Sequence, residues 1–222
     1  MGVDVGGRLR PELAEEAAPL RGPAARNGRV AGMGSNSFMP ASQSTAQPER
    51  TELRRSLIAA RRAFAATPAF QTAQAALDAS LRQLLTQLEP ELLGVYWPLA
   101  GEFTPGSLPY PRALPFARRD PAEMVYRRWD GAAPGTIDEC GIATATGAVA
   151  VPDVVLVPCV GFTREGFRLG YGGGYFDRWL EAHPGVTTIG LAWSGAETHF
   201  PVEAHDRALT LVLTERELIA PD

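Results

Sequence analysis

The stretch Val157–Leu180, VPCVGFTREGFRLGYGGGYFDRWL, is the most informative part of this 222-residue chain. It overlaps an apolar run with strand character, Val154–Pro158, and leads into a segment with helical character, Tyr175–Ala182. Between them, glycines occupy positions 170, 172, 173 and 174. Glycine lets the backbone adopt positive φ and approach a ligand without an intervening Cβ. The stretch therefore predicts a glycine-rich turn that joins a buried strand to a helix.

A turn of this kind indicates an anion site. Successive N–H groups that lead into a helix N-terminus form a cradle for phosphate. Arg168 and Arg178 flank the turn with fork-shaped donors, and Asp177 offers a hard oxygen to a metal that bridges to the phosphate. We predict a nucleotide-phosphate site with Mg²⁺. The glycines also fit a hairpin or a structural bend, and the stretch matches neither a P-loop nor a dinucleotide fingerprint.

The composition favours one globular domain, because 45% of the residues are hydrophobic and the chain is long enough to bury a core. A net charge of −4 argues against binding to nucleic acid. We find no apolar run near the ~18 residues of a membrane span and no signal peptide, so we expect a cytoplasmic protein without membrane contact. We also expect a monomer. Cys159 follows the apolar run, which predicts a packed thiol and not a nucleophile.

Residues 1–48 differ from the rest of the chain. They are rich in Gly, Ala, Pro, Ser and Arg and show no sustained periodicity. Such a segment buries too little apolar surface to offset its ordering entropy, so we predict a disordered extension. Met33 or Met39 as the true start is an alternative interpretation. Residues 49–222 are then the folded domain.

Two helices open that domain. Residues 49–66 place Leu53, Leu57, Ala60 and Phe64 on one face, and residues 69–88 carry a second apolar stripe. Short helices are predicted at 106–110 and 175–182. Short apolar runs with strand character lie at 92–97, 113–117, 124–129, 154–158, 188–193 and 208–214. Together they predict a single-domain α/β fold, a three-layer open sheet that is mostly parallel with helices on both faces.

The segment FTREGFRLGYGGGYFDR, residues 162–178, resembles the signature of the 5-formyltetrahydrofolate cyclo-ligase family, also called methenyltetrahydrofolate synthetases. Three other segments resemble family motifs in the same order: the helix opening at Arg50–Leu57, the segment Val95–Glu102, and Pro201–Asp206. The resemblance covers residues 49–219. Several separated motifs in the right order are far more specific than one glycine-rich turn.

The resemblance implies ATP and Mg²⁺ as cofactors, with Asp177 and Asp206 as metal ligands and Arg168 and Tyr175 as catalytic residues. It implies a nucleotide site formed by Arg50, Arg54, Arg168, Leu169, Gly170, Tyr171, Gly172, Gly173, Gly174, Tyr175 and Phe176. It also implies a reduced-folate site formed by Trp97, Glu102, Tyr171, Gly172, Gly173, Gly174 and Tyr175.

Each assignment has a purely structural alternative. By spacing alone, Arg50, Arg54 and Arg55 fit a solvated helix face. Tyr96 and Trp97 fit core aromatics, although a flat pterin needs a stacking wall and a polar anchor such as a carboxylate. Asp206 fits an ordinary turn.

The family reaction is the ATP- and Mg²⁺-dependent cyclisation of 5-formyltetrahydrofolate to 5,10-methenyltetrahydrofolate, with release of ADP and phosphate. This reaction needs no protein nucleophile, only positioning and charge compensation. The alternatives are a paralogue with another phosphorylated or folate-like substrate and a binding module without turnover. Departures from the family pattern at Thr163, Phe176, Trp193 and Ala196 leave the phosphate and metal groups in place, although they could alter folate affinity.

Overall fold

The structure, a computed structural model, describes residues 46–221. Its helices are α1 Ala46–Ala65, α2 Ala69–Leu88 and α3 Tyr175–Ala182, and a 3₁₀ turn spans Ser194–Ala196. Its strands, in chain order, are β1 Leu93–Gly94, β2 Arg112–Arg118, β3 Glu123–Trp129, β4 Thr136–Ile137, β5 Ala143–Thr144, β6 Val149–Ala150, β7 Val154–Pro158, β8 Gly161–Phe162, β9 Arg168–Leu169, β10 Thr187–Leu191, β11 Leu211–Leu213 and β12 Leu218–Ile219.

The predicted extension, residues 1–48, lies outside the described residues except for its last three, which begin α1. Its disorder stays a prediction.

Eight of the strands form one open sheet in the order β12-β11-β10-β7-β1-β2-β3-β6. The neighbours from β11 to β2 pair in parallel, and the pairs nearer the two edges are antiparallel. The strands β4 and β5 form one small hairpin, and β8 and β9 form another. A mostly parallel sheet is thus confirmed.

Helices cover both faces of this sheet. All four valine and leucine residues at the start of β7 are buried, but they alternate between two cores because successive strand side chains point to opposite faces. Val154 and Leu156 join the core under α2, and Val155 and Val157 join the core under α3. The predicted three layers are confirmed, since α2 packs on one face and α3 on the other.

Two details differ from the sequence predictions. Residues 106–110 contain no helix, because Pro109 disfavours the α conformation of the preceding residue, Leu108, which is buried in the connection to β2. Ala60 is exposed, and Leu53 and Leu57 of α1 are only half-buried. Among residues 49–65 of α1, the side chains that lie deepest are two arginines, Arg50 and Arg61, with 6% and 9% of their surface exposed.

Arg50 attaches the start of α1 to the chain segment before β11. Its guanidinium donates two hydrogen bonds to the Asp206 carboxylate, at 2.9 and 3.1 Å. Burial opposes ionisation of that carboxyl, but the hydrogen bonds from Arg50 and from the Glu203 amide outweigh burial and lower the pKa of Asp206. The pair is therefore ionised at neutral pH.

We expect Leu81→Ala to lower the free energy of unfolding by about 2–5 kcal/mol, because Leu81 is fully buried between α2 and the sheet and its loss leaves a cavity. Gln87→Ala, on the exposed side of α2, serves as the control and should change stability by at most about 0.5 kcal/mol. Denaturant unfolding measures both. Equal effects of the two changes would contradict the core assignment.

We expect Asp206→Asn to destabilise the protein by about 2 kcal/mol at neutral pH, because it removes the nearer of two carboxylates paired with buried Arg50 and leaves only Glu203, at 3.5 Å, as the counter-charge. The folded-state pKa of Asp206 is lowered, so its contribution is present above the ordinary value of 3.8 and is lost as pH falls through the folded value. The gap between wild type and variant should therefore close in acid. Glu52→Gln, which removes the exposed partner of Arg55, should show neither effect. A gap that persists at about pH 2 would contradict this account.

Candidate active site

The candidate site lies at the carboxyl ends of β1 and β7, which are adjacent parallel strands. The chain leaves β1 toward β2 on one side and leaves β7 toward β10 on the other, so the order reverses between them. Open α/β sheets bind ligands in the crevice at such a switch point. The loop that carries Glu102 follows β1, and the glycine turn follows β7 through the β8–β9 hairpin.

The glycine turn presents open backbone to this crevice. Gly172 and Gly174 have φ of 96° and 63°, values that favour glycine. A Cβ added at Gly170 would meet nothing within 4 Å. Gly174 is the N-cap of α3 and supplies no side-chain cap, so the first N–H groups of the helix keep their capacity for a ligand. The backbone of the turn is therefore open to a ligand, and binding of an anion there stays a prediction.

Arg54 stands over this turn from α1. Its Nε donates to the Gly170 carbonyl at 2.8 Å. Burial lowers the pKa of Arg54, and the positive charge of nearby Arg50 lowers it further. Arg50, in contrast, has its pKa raised by Asp206 despite burial. Arg54 therefore carries the less compensated charge, which an anion on the turn would stabilise.

The solvated-face interpretation is right for Arg55 and wrong for Arg50. Arg55 is exposed and pairs with Glu52 in the preceding turn of the helix. Arg50 is buried against Asp206 and lies over the ring of Phe200, 5.2 Å from its centroid.

Arg168 lies beneath the turn with 6% of its surface exposed. Its Nη2 is 3.0 Å from Oδ1 of Asp177, its Nη1 donates to the Arg207 carbonyl at 3.4 Å, and the guanidinium covers the Phe176 ring at 5.6 Å. Leu169 is fully buried, which removes its side chain from contact with a ligand. Arg168 thus fixes Asp177 at the start of α3.

The two carboxylates predicted to bind metal, Asp177 and Asp206, differ in how many of their oxygens are free of hydrogen bonds within the protein. The contacts of Asp177 with Arg168 and with the Arg207 amide both use Oδ1, so Oδ2 can serve a cation. Both oxygens of Asp206 accept from Arg50. Within residues 46–221 no group of three or more His, Cys, Asp and Glu side chains could hold a metal by itself. Mg²⁺ commonly takes one or two carboxylates plus phosphate oxygens, so Asp177 fits and Asp206 stays a prediction.

Glu102 is buried, and both of its carboxylate oxygens accept hydrogen bonds from the protein. Its Oε2 accepts the Leu99 N–H at 2.8 Å, and its Oε1 accepts the Tyr171 hydroxyl at 2.6 Å and Arg61 Nη1 at 3.2 Å. Arg61 Nη2 also donates to the Tyr171 hydroxyl. Burial and the Glu102 carboxylate raise the pKa of Tyr171, which keeps its proton. The structure thus joins Glu102 and the glycine turn, as predicted for one site.

Aromatic residues after β1 divide between core and site. Tyr96 is buried and donates to the Phe103 carbonyl at 2.8 Å, as expected for a core aromatic. Trp97 is half-buried and packs edge-on against Trp129 with centroids 6.2 Å apart. The predicted stacking of Trp97 on a ligand stays a prediction.

Tyr175, the first residue of α3, contacts Cys140. The Cys140 thiol donates to its hydroxyl at 3.3 Å, and this contact together with burial raises the pKa of Tyr175 to about 12. Arg178 donates to the carbonyls of Gly173 and Ala122 and covers the Tyr175 ring at 5.2 Å, so it braces the turn. Burial raises the pKa of Cys159 to about 12, which confirms a packed thiol.

Sequence analysis did not single out Arg61. A signal was present, because Arg50, Arg54 and Arg61 stand at i, i+4 and i+11, and these positions share one face of a helix. Arg55 and Arg62, each one residue further along, are turned away from this face by about 100° and are exposed. A charged stripe amid the apolar positions Leu57 and Phe64 indicates buried partners.

No helix within residues 46–221 combines the length and apolar character needed to cross a membrane.

Comparison with known proteins gives consistent relatives. A 5-formyltetrahydrofolate cyclo-ligase from Mycolicibacterium smegmatis is 34% identical over 115 residues, which are 46% of this chain and 59% of the relative. One from Mycoplasma pneumoniae is 36% identical over 64 residues, which are 28% of this chain and 39% of the relative. The alignments therefore span less than two thirds of either relative.

Solved structures share the fold. A 5,10-methenyltetrahydrofolate synthetase from Mycoplasma pneumoniae matches with a TM-score of 0.63 and 21% identity, over 75% of this chain and 99% of that one. The NMR structure of one from Aquifex aeolicus matches with a TM-score of 0.64 and 24% identity, over 77% and 92%.

The match to a family model decides the relationship. That model spans residues 78–215, which include the whole glycine turn, Glu102, Asp177 and Asp206. Because the match covers more than half of the chain, the protein belongs to the 5-formyltetrahydrofolate cyclo-ligase family.

Proposed function

We propose that the protein catalyses the ATP- and Mg²⁺-dependent cyclisation of 5-formyltetrahydrofolate to 5,10-methenyltetrahydrofolate, with ADP and phosphate as products. One observation carries the proposal beyond family membership. The under-compensated charge of Arg54 lies over an open glycine turn, and that turn is hydrogen-bonded to the buried carboxylate of Glu102. A candidate site for a polyanion, at Arg54 and the turn, thus lies next to a candidate polar anchor for a second ligand, at Glu102.

The nucleotide half is built from backbone and positive charge. The turn at 170–174 offers N–H groups with no Cβ in the way at Gly170, and the N-terminus of α3 adds its dipole. Arg54 keeps N–H groups beyond the one bonded to Gly170, because a guanidinium has five donors. In a protein of net charge −4, this concentration of positive potential supports selective binding of a phosphate chain.

The folate half centres on Glu102. An ionised carboxylate accepts two N–H bonds from an aminopyrimidine edge, the edge that a pterin presents. Oε2 of Glu102 accepts the Leu99 N–H and keeps a second lone pair, which could accept a ligand N–H while Tyr171 and Arg61 stay bonded to Oε1. Leu99 and Tyr171, exposed by 37% and 46%, supply apolar surface beside it.

A formyl amide is a poor electrophile, and ATP supplies the phosphoryl group that activates its oxygen. The residues of this chain need only orient the two ligands, compensate charge and exclude water. Tyr175, whose pKa is raised to about 12, is neutral at pH 7 and can donate a hydrogen bond but not accept a proton. Asp177, held by Arg168, is the carboxylate that would hold Mg²⁺ beside the phosphates.

The direct test is the absorbance of the methenyl product after the protein is mixed with 5-formyltetrahydrofolate and Mg-ATP. The proposal predicts product only when ATP is present, with ADP formed in equal amount. ATP hydrolysis or binding without methenyl product would favour a paralogue with another substrate. Folate binding without any turnover would favour a binding module.

Arg54→Ala should reduce kcat/KM for ATP by about a hundredfold, because it removes the charge that faces the turn. Arg55→Ala is the matched control, since Arg55 follows on the same helix but is exposed and pairs with Glu52. Steady-state kinetics with ATP as the varied substrate separates them. Similar losses in both variants would mean that the arginines act only through the overall charge of α1.

Gly170→Ala tests the cradle without disturbing the fold. The added methyl meets nothing within 4 Å and the backbone has no positive φ, so the melting temperature should stay within about 2 °C of wild type. ATP affinity should fall by at least about tenfold, because the methyl projects where phosphate would lie. Gly185→Ala is equally open but lies in the turn after α3, and it should change neither quantity. Unchanged ATP affinity in Gly170→Ala would remove the turn from the nucleotide site.

A further inference from the structure

The buried guanidinium of Arg61 lies where the proposed nucleotide and folate halves of the site meet, and the proposed reaction does not use it directly. Arg61 has 9% of its surface exposed, and its Nε is buried with no hydrogen-bond partner among the described residues. Its two terminal nitrogens reach different groups, Glu102 and the Tyr171 hydroxyl. Since Tyr171 also donates to Glu102, the three side chains form a closed hydrogen-bonded triangle.

This triangle connects three separate segments of chain. Arg61 belongs to α1, Glu102 to the loop after β1, and Tyr171 to the glycine turn after β9. Arg54, two turns earlier on α1, holds the carbonyl of Gly170. Adjacent residues of the turn, Gly170 and Tyr171, are thus held by one face of one helix, the first through its backbone and the second through its side chain.

We propose that Arg61 is a positioning residue, which fixes the Glu102 carboxylate and the Tyr171 hydroxyl in one arrangement and thereby orders the glycine turn against the folate half of the site. The fork of a guanidinium can hold two acceptors at a set angle, which suits this task. Assignment of the Glu102 side to folate rests on the proposed function. The ordering of the turn does not.

The partners of Arg61 separate this role from catalysis. Both of its terminal nitrogens are directed to protein groups, Glu102 and the Tyr171 hydroxyl, and not to the open backbone of the turn. Tyr171 is 46% exposed, and Arg61 contacts both its hydroxyl and, at 5.6 Å from the centroid, the face of its ring. Without Arg61, Glu102 would lose the only cation paired with it in residues 46–221. Loss of Arg61 therefore loosens the turn and reorients the carboxylate together.

Backbone NMR order parameters of the ligand-free protein test the ordering. In Arg61→Gln, the order parameters of residues 170–174 should fall from about 0.85, the level of rigid backbone, to below about 0.6, because the turn loses a tethering bond. Arg62→Gln is the matched control, since Arg62 is the next residue and is exposed. Tyr171→Phe removes only the hydroxyl and should also lower these order parameters, so the test survives if Arg61→Gln folds poorly.

Kinetics tests the link to the site. In Arg61→Gln and in Tyr171→Phe, KM for 5-formyltetrahydrofolate should rise on the order of tenfold, the worth of a charge-assisted hydrogen bond, whereas KM for ATP should rise by less, because Arg54 still holds the Gly170 carbonyl. The double variant should be little worse than either single one, because both break the same triangle. Arg61→Lys keeps the charge without the fork and should fall between wild type and Arg61→Gln.

Unchanged order parameters of residues 170–174 in both Arg61→Gln and Tyr171→Phe would overturn the proposal. So would an equal rise of both Michaelis constants, which would mark Arg61 as general structural support. A wild-type protein that turns over no folate would defeat the proposed function alone, because the NMR measurement needs no substrate and still decides whether Arg61 orders the turn.

Discussion

The site depends on the attachment of α1 to the rest of the domain through arginines on one face. Arg50 binds Asp206, Arg54 binds the Gly170 carbonyl, and Arg61 binds Glu102 and Tyr171. Apolar packing of α1 is modest, since Leu53 and Leu57 are only half-buried. Buried charges require partners, and these partners come from loops far apart in sequence. The helix therefore holds together three loops that are far apart in sequence.

Those arginines are not equivalent, and the difference sets the electrostatics of the crevice. Arg50 is compensated by a bidentate carboxylate and has its pKa raised, whereas Arg54 has only a carbonyl partner and has its pKa lowered. Arg168 is neutralised by Asp177 beneath the turn. Positive potential thus concentrates at Arg54, above the open backbone of Gly170. An acidic protein can in this way hold a local site for a polyanion.

One departure from the family pattern has a structural account. Trp193, one of the departures named from the sequence, packs edge-on against Phe64, Phe70 and Phe103. Its Nε1 also donates to the Gly101 carbonyl at 2.8 Å, a bond that phenylalanine cannot make. Gly101 has φ of 76° and directly precedes Glu102. The tryptophan therefore both fills the core beside α1 and restrains the loop that carries the buried carboxylate.

Thr163, another departure, is buried, and its hydroxyl lies beside the Glu165 carboxylate, whose pKa it lowers by hydrogen bonding. Backbone bonds also hold this hairpin, from the Thr163 amide to the Phe167 carbonyl and from the Leu209 amide to the Gly166 carbonyl. The second bond links the hairpin to the segment that carries Asp206.

The sequence by itself determined the fold class and the turn. A strand that is buried on both sides needs a continuous apolar run, such as Val154–Val157, and positive φ favours glycine. Both features can therefore be predicted from the local sequence. Short connections are harder to predict: residues 106–110 lack the expected helix because Gly106 and Pro109 are poor helix residues. Strand order follows from packing and not from any one segment.

What each charged residue does was decided only by tertiary structure. Spacing along α1 places Arg54 and Arg61 on one face, but it cannot show that one meets a carbonyl and the other a carboxylate and a tyrosine. Arg168 and Asp206 stand in motifs that indicate phosphate and metal, yet each is paired with an opposite charge. A charge in sequence has no fixed role until folding sets its distance to other charges, because electrostatic energy depends on that distance and on burial.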